Sequence, residues 1–244
     1  MSLSSTVSTA KDSYNEWHGH HDVDSAADTP WHGLLRARLQ IERDLAGKQV
    51  LEIACGRGGL ACRLVQESAP APHLVAADFS RTAVTKGRAF ANGRSLSSLR
   101  WEVADAQSLP HPDNSFDTII SCETIEHLPR PRTALAEFHR VLKPGGRLFL
   151  TTPNYLGPLG LYRGYLRLVG RRYTEEGQPI NRFLLAPLTR AWVQRTGLRV
   201  VGVDTTGLYL PWPRREPIRL RTLERWRALR WFGLHTLVVA VKPL

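Results

Sequence analysis

The 244-residue sequence predicts an α/β protein: a doubly wound, mostly parallel, seven-stranded sheet with a helical lid inserted after the fifth strand. Three observations carry that expectation. Short apolar runs alternate with amphipathic stretches of about 10–15 residues, the rhythm of strands joined by crossover helices. The first run, Val50–Ala54, passes through Gly56-Arg57-Gly58 into the helical pattern Leu60, Ala61, Leu64, Val65. Glycines at such a turn permit positive φ and close backbone approach to a ligand. The second and third runs each end on an acid, Asp78 and Asp105, at the edge where open sheets bind ligands.

Taken in order, residues 1–33 read as a polar, partly helical N-terminal arm with scattered aromatics (Tyr14, Trp17), and residues 34–244 as one domain. Trp31–Ala46 places Leu34, Leu35, Leu39, Ile41 and Leu45 at helical spacing, closed by Gly47. A strand at 49–54 and a helix at about 58–68 follow. His73–Ala77 is the next strand, and Ser80 caps a helix running to about Asn92. Leu99–Ala104 and Phe116–Ser121 are strands three and four. A helix at about 131–142, broken by Lys143-Pro-Gly-Gly146, leads to strand five, Arg147–Thr152. A basic, Leu/Tyr-rich insertion spans about 155–182. Helix Leu184–Thr196, strand Leu198–Val203, a helix at about 216–231 and strand Leu234–Val241 complete the sheet.

With 42% hydrophobic and 23% charged residues, the chain has the composition of a protein with a sizeable core. No 18-residue uncharged apolar run could span a bilayer, and Met1–Ala10 lacks the apolar centre of a signal peptide. Cys55, Cys62 and Cys122 show no metal spacing and read as reduced thiols, so a cytoplasmic protein is expected. The net charge of +11 is lopsided: residues 1–154 hold 17 Lys/Arg against 17 Asp/Glu, and residues 155–244 hold 16 against 5. A neutral front and a basic back imply one face that meets something anionic, or a solvated arginine-rich surface.

An acid ending the second strand can accept both hydroxyls of a ribose. Asp105 can accept from an exocyclic adenine amine, with the Ala106 N–H facing a ring nitrogen. Either could instead be a helix cap; with the glycine turn they point to an adenosine ligand. Five motifs in order, Glu52-Ile-Ala-Cys-Gly-Arg-Gly58, Ala77-Asp-Phe-Ser80, Ala104-Asp-Ala-Gln-Ser-Leu-Pro110, Phe116-Asp-Thr-Ile-Ile-Ser121 and Leu142-Lys-Pro-Gly-Gly-Arg-Leu148, resemble the Rossmann-like class I S-adenosylmethionine-dependent methyltransferases over roughly residues 34–154. A nicotinamide dehydrogenase is the distant second, since Ala61 stands where the third glycine of that fingerprint would fall. The resemblance implies S-adenosylmethionine as cofactor, held by Arg36 (with Arg38 a rival), Glu52, Ala54, Gly56, Gly58, Asp78, Phe79, Asp105, Ala106 and Cys122. It treats Cys55 as a packed small residue.

After the fourth strand comes Cys122-Glu-Thr-Ile-Glu-His-Leu-Pro129. On a helical turn Glu123 and Glu126 share a face, with His127 adjacent. Two carboxylates beside an imidazole would hold a hard cation such as Mg²⁺, with Glu123, Glu126 and His127 as ligands. The alternative is that Glu126 and His127 act on the acceptor directly, His127 as general base. This segment resembles the ubiquinone-biosynthesis O-methyltransferases and the small-RNA 3′-terminal 2′-O-methyltransferases, and Thr205-Thr-Gly-Leu-Tyr209 favours the former. The departures, Thr152-Pro-Asn154 and the Arg/Trp-rich 212–232 stretch, put ubiquinone itself in doubt. The function expected is O-methylation of a hydroxylated aromatic or lipid-like small molecule. RNA 2′-O-methylation and a non-catalytic cofactor-binding partner are the alternatives.

Leu156, Leu159, Tyr162, Tyr165, Leu166 and Val169 recur at near-helical spacing beside Arg163, Arg167, Arg171 and Arg172. That pattern suits peripheral contact with an anionic membrane through 156–172, or an ordinary lid helix. RNA is the less favoured partner; it would use Trp226 and Trp231 among Arg221, Arg225, Arg227 and Arg230. His18, His20 and His21 beside Trp17 could be a metal cluster, but an arm folding over the cofactor is preferred. The sequence does not speak to oligomeric state.

Overall fold

A computed structural model of the chain describes residues 3–24, 26–94, 96, 98–171, 180, 182–210, 217–229 and 231–244. Seven strands form one sheet: β1 (Gln49–Ile53), β2 (His73–Asp78), β3 (Leu99–Val103), β4 (Phe116–Cys122), β5 (Leu142–Pro153), β6 (Arg199–Thr206) and β7 (His235–Val241). Their order across the sheet is β3-β2-β1-β4-β5-β7-β6. Strands β1 to β5 pair in parallel, and β7 runs antiparallel between β5 and β6. The strand order reverses between β1 and β4, which opens a crevice beyond their carboxyl ends.

Strand residues alternate between two cores. Leu51, Ile53, Ile119, Leu148 and Leu150 face α5 (Pro131–Val141) and α7 (Ala186–Arg195). Val50, Leu74, Ile120 and Phe149 pack with Leu35 of α2 (Pro30–Arg38) and with Leu60, Ala61 and Leu64 of α3 (Gly59–Glu67). Burial on both faces explains why these strands read as near-continuous apolar runs. The helix after β2, α4 (Arg81–Asn92), starts at Ser80, whose Oγ accepts from the Ala83 N–H.

Three expectations need correction. The single helix over 31–46 is two elements: α2 ends at extended Leu39, and a wide turn spans Ile41–Leu45. The break buries Asp44, which accepts from the Gln40 N–H at 2.8 Å and lies 3.2 Å from Arg147 Nε. The helix expected at 216–231 is absent among the described residues. Ile218–Arg219 pairs instead with Tyr209–Leu210, followed by single 3-10 turns at Leu223–Arg225 and Arg227–Leu229. Glu224 explains the change, since it accepts from Arg219, the Leu208 N–H and Thr206 Oγ1, tying the segment back to β6. Strand β6 accordingly extends to Thr206 rather than Val203.

A helix does follow β5, α6 (Pro158–Leu168), and among the described residues none of this helix borders the cavity beyond the strand ends. Leu161 (76% exposed), Tyr165 (58%) and Leu168 (87%) face outward. Residues 172–179, Asn181, residues 211–216 and Arg230 lie outside the described residues. Among the described residues, no helix is long and apolar enough to cross a membrane.

Candidate active site

A cavity of about 740 Å³ opens beyond the carboxyl ends of β1 to β4. That volume is typical of a small-molecule site. Every residue expected to hold the cofactor borders it except Arg36. Arg36 lies on the outer side of α2, 3.6 Å from Glu67, and its rival Arg38 bonds Asp204 at 2.6 Å. Both arginines are occupied on the surface by acids far along the chain, so neither faces the cavity.

The turn after β1 takes left-handed backbone at Ala54 (φ 58°), Gly56 (φ 53°) and Gly58 (φ 68°). Asp78 fixes it: Oδ2 accepts from the Gly56 N–H at 2.9 Å and Oδ1 from the Ser80 N–H at 2.8 Å. Each oxygen retains a further lone pair for a ligand. Burial raises the Asp78 carboxyl to about 6. Glu52, beneath the turn, is raised to about 8 by burial and by the Asp78 charge, and its Oε2 is buried with no hydrogen-bond partner among the described residues. Gly58 carries a second constraint, because a Cβ there would overlap the Trp101 ring.

At the end of β3, Asp105 Oδ1 accepts from the Gln107 N–H at 2.8 Å and from its side-chain amide at 3.1 Å. Asp105 thus closes a local turn rather than capping a helix, since no helix follows β3, and it borders the cavity beside Ala106. Burial pushes the Cys55 and Cys122 thiols well above their usual range, so neither is a thiolate nucleophile.

Glu126 and His127 lie together and Glu123 lies apart. Glu126 is buried, its Oε2 accepts from Thr152 Oγ1 at 2.9 Å, and its Oε1 is 3.7 Å from His127 Nε2. His127 Nδ1 sits 2.7 Å from the Ile180 carbonyl, which can only accept, so Nδ1 carries the proton. Glu123 has left-handed backbone (φ 48°) ahead of the Ile125–His127 turn, which swings its carboxylate away, to 3.5 Å from His235 Nδ1. The shared helical face expected for Glu123 and Glu126 is therefore wrong. Among the described residues no three acidic, His or Cys side chains are spaced to hold a metal ion, so the ligand set Glu123, Glu126, His127 is corrected on geometry.

The arm supplies a wall that the sequence only hinted at. In α1 (Leu3–Gly19), Tyr14 meets Phe79 edge-on at 5.1 Å, and Asn15 Oδ1 accepts from Ser80 Oγ at 2.8 Å. His18 Nδ1 accepts from Arg57 at 2.9 Å, and Arg57 also donates to the Asp22 carbonyl. Burial and the Arg57 charge lower His18 to about 3, leaving it neutral. His21 stacks on Trp17 at 4.2 Å, so the three histidines do not converge on one ion. Sequence reasoning placed His18 in an arm folding over the cofactor but missed Trp31, Arg57 and His235; all four line the cavity. A histidine opening an otherwise apolar final strand was the one available signal.

Residues 51–150 match a family model described as a methyltransferase domain. The chain is 37% identical over 121 residues to a ubiquinone/menaquinone biosynthesis C-methyltransferase of Dinoroseobacter shibae, covering 49% of this chain and 48% of that protein. It is 36% identical over 146 residues to a demethylmenaquinone methyltransferase of Thermus thermophilus, covering 59% and 64%. The chain thus spans about half to two thirds of these relatives' lengths. Among solved structures, it resembles a chain from the complex between the Haloferax volcanii Trm112 methyltransferase activator and a putative methyltransferase. That match has TM-score 0.69 and 23% identity, over 96% of this chain and 98% of that one, a likeness of fold. Motifs, strand order and family match agree over residues 51–150, where the chain matches a methyltransferase domain.

Proposed function

We propose that this protein transfers the methyl group of S-adenosylmethionine to a small hydroxylated acceptor. The observation that carries the reading is the orphaned, buried Glu52 carboxylate beside Asp78 under the glycine turn. Two buried carboxylates held above their usual range mark a site short of positive charge. S-adenosylmethionine supplies a cationic sulfonium as methyl donor and an ammonium group, so these donors fit it. Glu52 would meet the ammonium, Asp78 the ribose hydroxyls, and Asp105 with the Ala106 N–H the adenine. Ala54, Gly56, Gly58, Phe79 and the Cys122 backbone would shape the remainder.

Acceleration would come mainly from holding the acceptor atom in line with the methyl carbon, in a cavity walled by α1 and α2. Glu126 and His127, locked by Thr152 and the Ile180 carbonyl, would position the acceptor. No step here requires a metal. Methylation on oxygen is the first reading, supported by Glu126 and His127 together at the cavity wall. Attack from the ring carbon beside that oxygen is the second reading, favoured by the C-methyltransferase name of a relative. Peripheral contact with anionic lipid through the exposed face of α6 is supported by Leu161, Tyr165 and Leu168 beside Arg167 and Arg171, and sedimentation with anionic vesicles tests it.

Calorimetric titration with S-adenosylmethionine tests the central claim. Saturable one-to-one binding is expected, and its absence overturns the reading. Labelled donor incubated with a phenol panel, followed by product mass and NMR analysis, locates the methyl group on oxygen or carbon.

A further inference from the structure

Resting on the methyl-transfer reading of the cavity, we infer that His235, oriented by Glu123, takes the hydroxyl proton of a flat aromatic acceptor bound against Trp31. Three elements distant in the chain converge to make this pocket. Glu123 follows Cys122 directly, so it stands one residue beyond the donor end of the cavity. His235 opens β7, in register with Pro153 of β5. Trp31 comes from the first turn of α2, its ring 5.0 Å from the His235 ring. Pro153 and Leu234 complete an apolar wall around this polar pair.

The pair is poised rather than satisfied. His235 Nδ1 and Glu123 Oε1 are buried, and neither has a hydrogen-bond partner among the described residues, although the side chains lie 3.5 Å apart. Glu123 holds left-handed backbone, an arrangement that is strained in a non-glycine residue and clusters at functional sites. A carboxylate cannot donate, so the tautomer this pair would favour on closing carries its proton on Nδ1 and leaves the lone pair on Nε2. An aromatic ring of the Trp31 class on one side and a basic nitrogen on the other suit a phenol or catechol. In the step, the acceptor O–H bond breaks and its proton passes to Nε2. The freed electron pair forms the bond to the methyl carbon. The carbon–sulfur bond breaks with its pair left on sulfur, giving a neutral thioether. The resulting imidazolium, stabilised by Glu123, later returns its proton to water.

The test uses catechol and the more acidic 4-nitrocatechol, whose ionised form is coloured. In wild-type protein loaded with S-adenosylhomocysteine, 4-nitrocatechol should bind ionised at a pH where it is largely protonated in solution. In His235→Gln it should bind protonated. For turnover, His235→Gln should lose about 10²- to 10⁴-fold in kcat on catechol, the range for a general base, and far less on 4-nitrocatechol. Its S-adenosylmethionine affinity should stay within about threefold, under 1 kcal/mol. Glu123→Gln should show the same acceptor dependence with roughly a tenfold loss, and it decides the matter if His235→Gln does not fold. Equal losses on both acceptors, an unchanged rate on catechol, or methylation of neither by wild-type protein that binds the donor would each overturn the inference. Failure of wild-type protein to bind the donor at all would instead remove the underlying methyl-transfer reading, and this assignment with it.

Discussion

The two halves of the cavity are built on different principles. The half beneath Glu52, Asp78 and Asp105 comes from consecutive strand ends, each a few residues of turn repeating one βα unit. The half around Trp31, Glu123 and His235 is assembled from an N-terminal helix, a left-handed residue after β4 and the first residue of the last strand. Local turn chemistry makes the first half; docking of distant segments makes the second. On the proposed reading, the donor half follows from the repeated turns of the fold, whereas the acceptor half depends on how distant segments of this chain dock.

Asp78→Ala should separate the halves most sharply. It removes the acceptor of the Gly56 and Ser80 N–H groups along with any ribose contact. Hydrogen bonds to a charged group are worth about 1.5–3 kcal/mol each. Two lost contacts should weaken donor binding on the order of 100-fold or more by calorimetry. Affinity within a few-fold of wild type would break the assignment of this half. Gly58→Ala should come next. Alanine at φ 68° costs roughly 1–2 kcal/mol, and overlap with Trp101 adds about 1–3 kcal/mol. At 2–4 °C per kcal/mol for a chain of this size, melting should fall by roughly 5–15 °C. The double substitution Gly58→Ala with Trp101→Ala should relieve the overlap without restoring donor affinity if the turn also serves the ligand.

This contrast explains what could be read from the sequence. Asp78 and Asp105 were legible because a short run that ends on an acid marks a strand and its carboxyl end, the edge where open sheets bind ligands. Glu123 was misread because helical spacing was assumed where one left-handed residue reverses the carboxylate. Arg36 was carried over by likeness alone, and no local pattern signals that Glu67, two elements later, would engage it. The 216–231 stretch has helical periodicity, yet Glu224 binds back across β6 and pulls it flat, a long-range interaction invisible to any window. His235 looked like a strand residue, and it is one; its role depends on which side chains face it across the fold.

Glu52 provides a pH lever on the donor half alone. Its folded value of about 8 lies above the ordinary 4.5, so the ligand-free fold is favoured while Glu52 is protonated and loses stability as pH rises toward 8. Glu52→Gln without ligand should therefore melt higher than wild type above pH 8, and the gap should close near pH 5. The cationic donor favours the ionised form. Binding below pH 8 should thus release a proton, and affinity should rise by up to about tenfold per pH unit between 6 and 8. Calorimetry in buffers of different ionisation enthalpy counts that proton. A flat affinity profile would detach Glu52 from the ligand.

The smallest expected effect bears on how the arm is held. His18 sits at about 3 in the folded state because burial and Arg57 oppose its protonation, while a released His18 would titrate near 6.5. The docked arm binds fewer protons than the released arm, so docking is complete above about pH 6.5 and weakens as pH falls below it. Trypsin cleavage after exposed Lys11, normalised to a peptide substrate, should accordingly be faster at pH 5 than at pH 7. Arg57→Ala removes the bonds to His18 Nδ1 and the Asp22 carbonyl and the stacking over Trp17. It should raise cleavage at pH 7 by several-fold, the scale of about 1 kcal/mol for a typical intramolecular contact. Because Arg57 also borders the donor half, its effect on donor affinity should stay smaller than that of Asp78→Ala. Its effect on acceptor KM should be the larger of the two, since Tyr14 of the arm also faces His127, which would position the acceptor, with ring centres 6.3 Å apart. If instead donor affinity fell and acceptor KM held steady, the arm would belong to the cofactor half, and the division between local and assembled halves would have to be redrawn around α1.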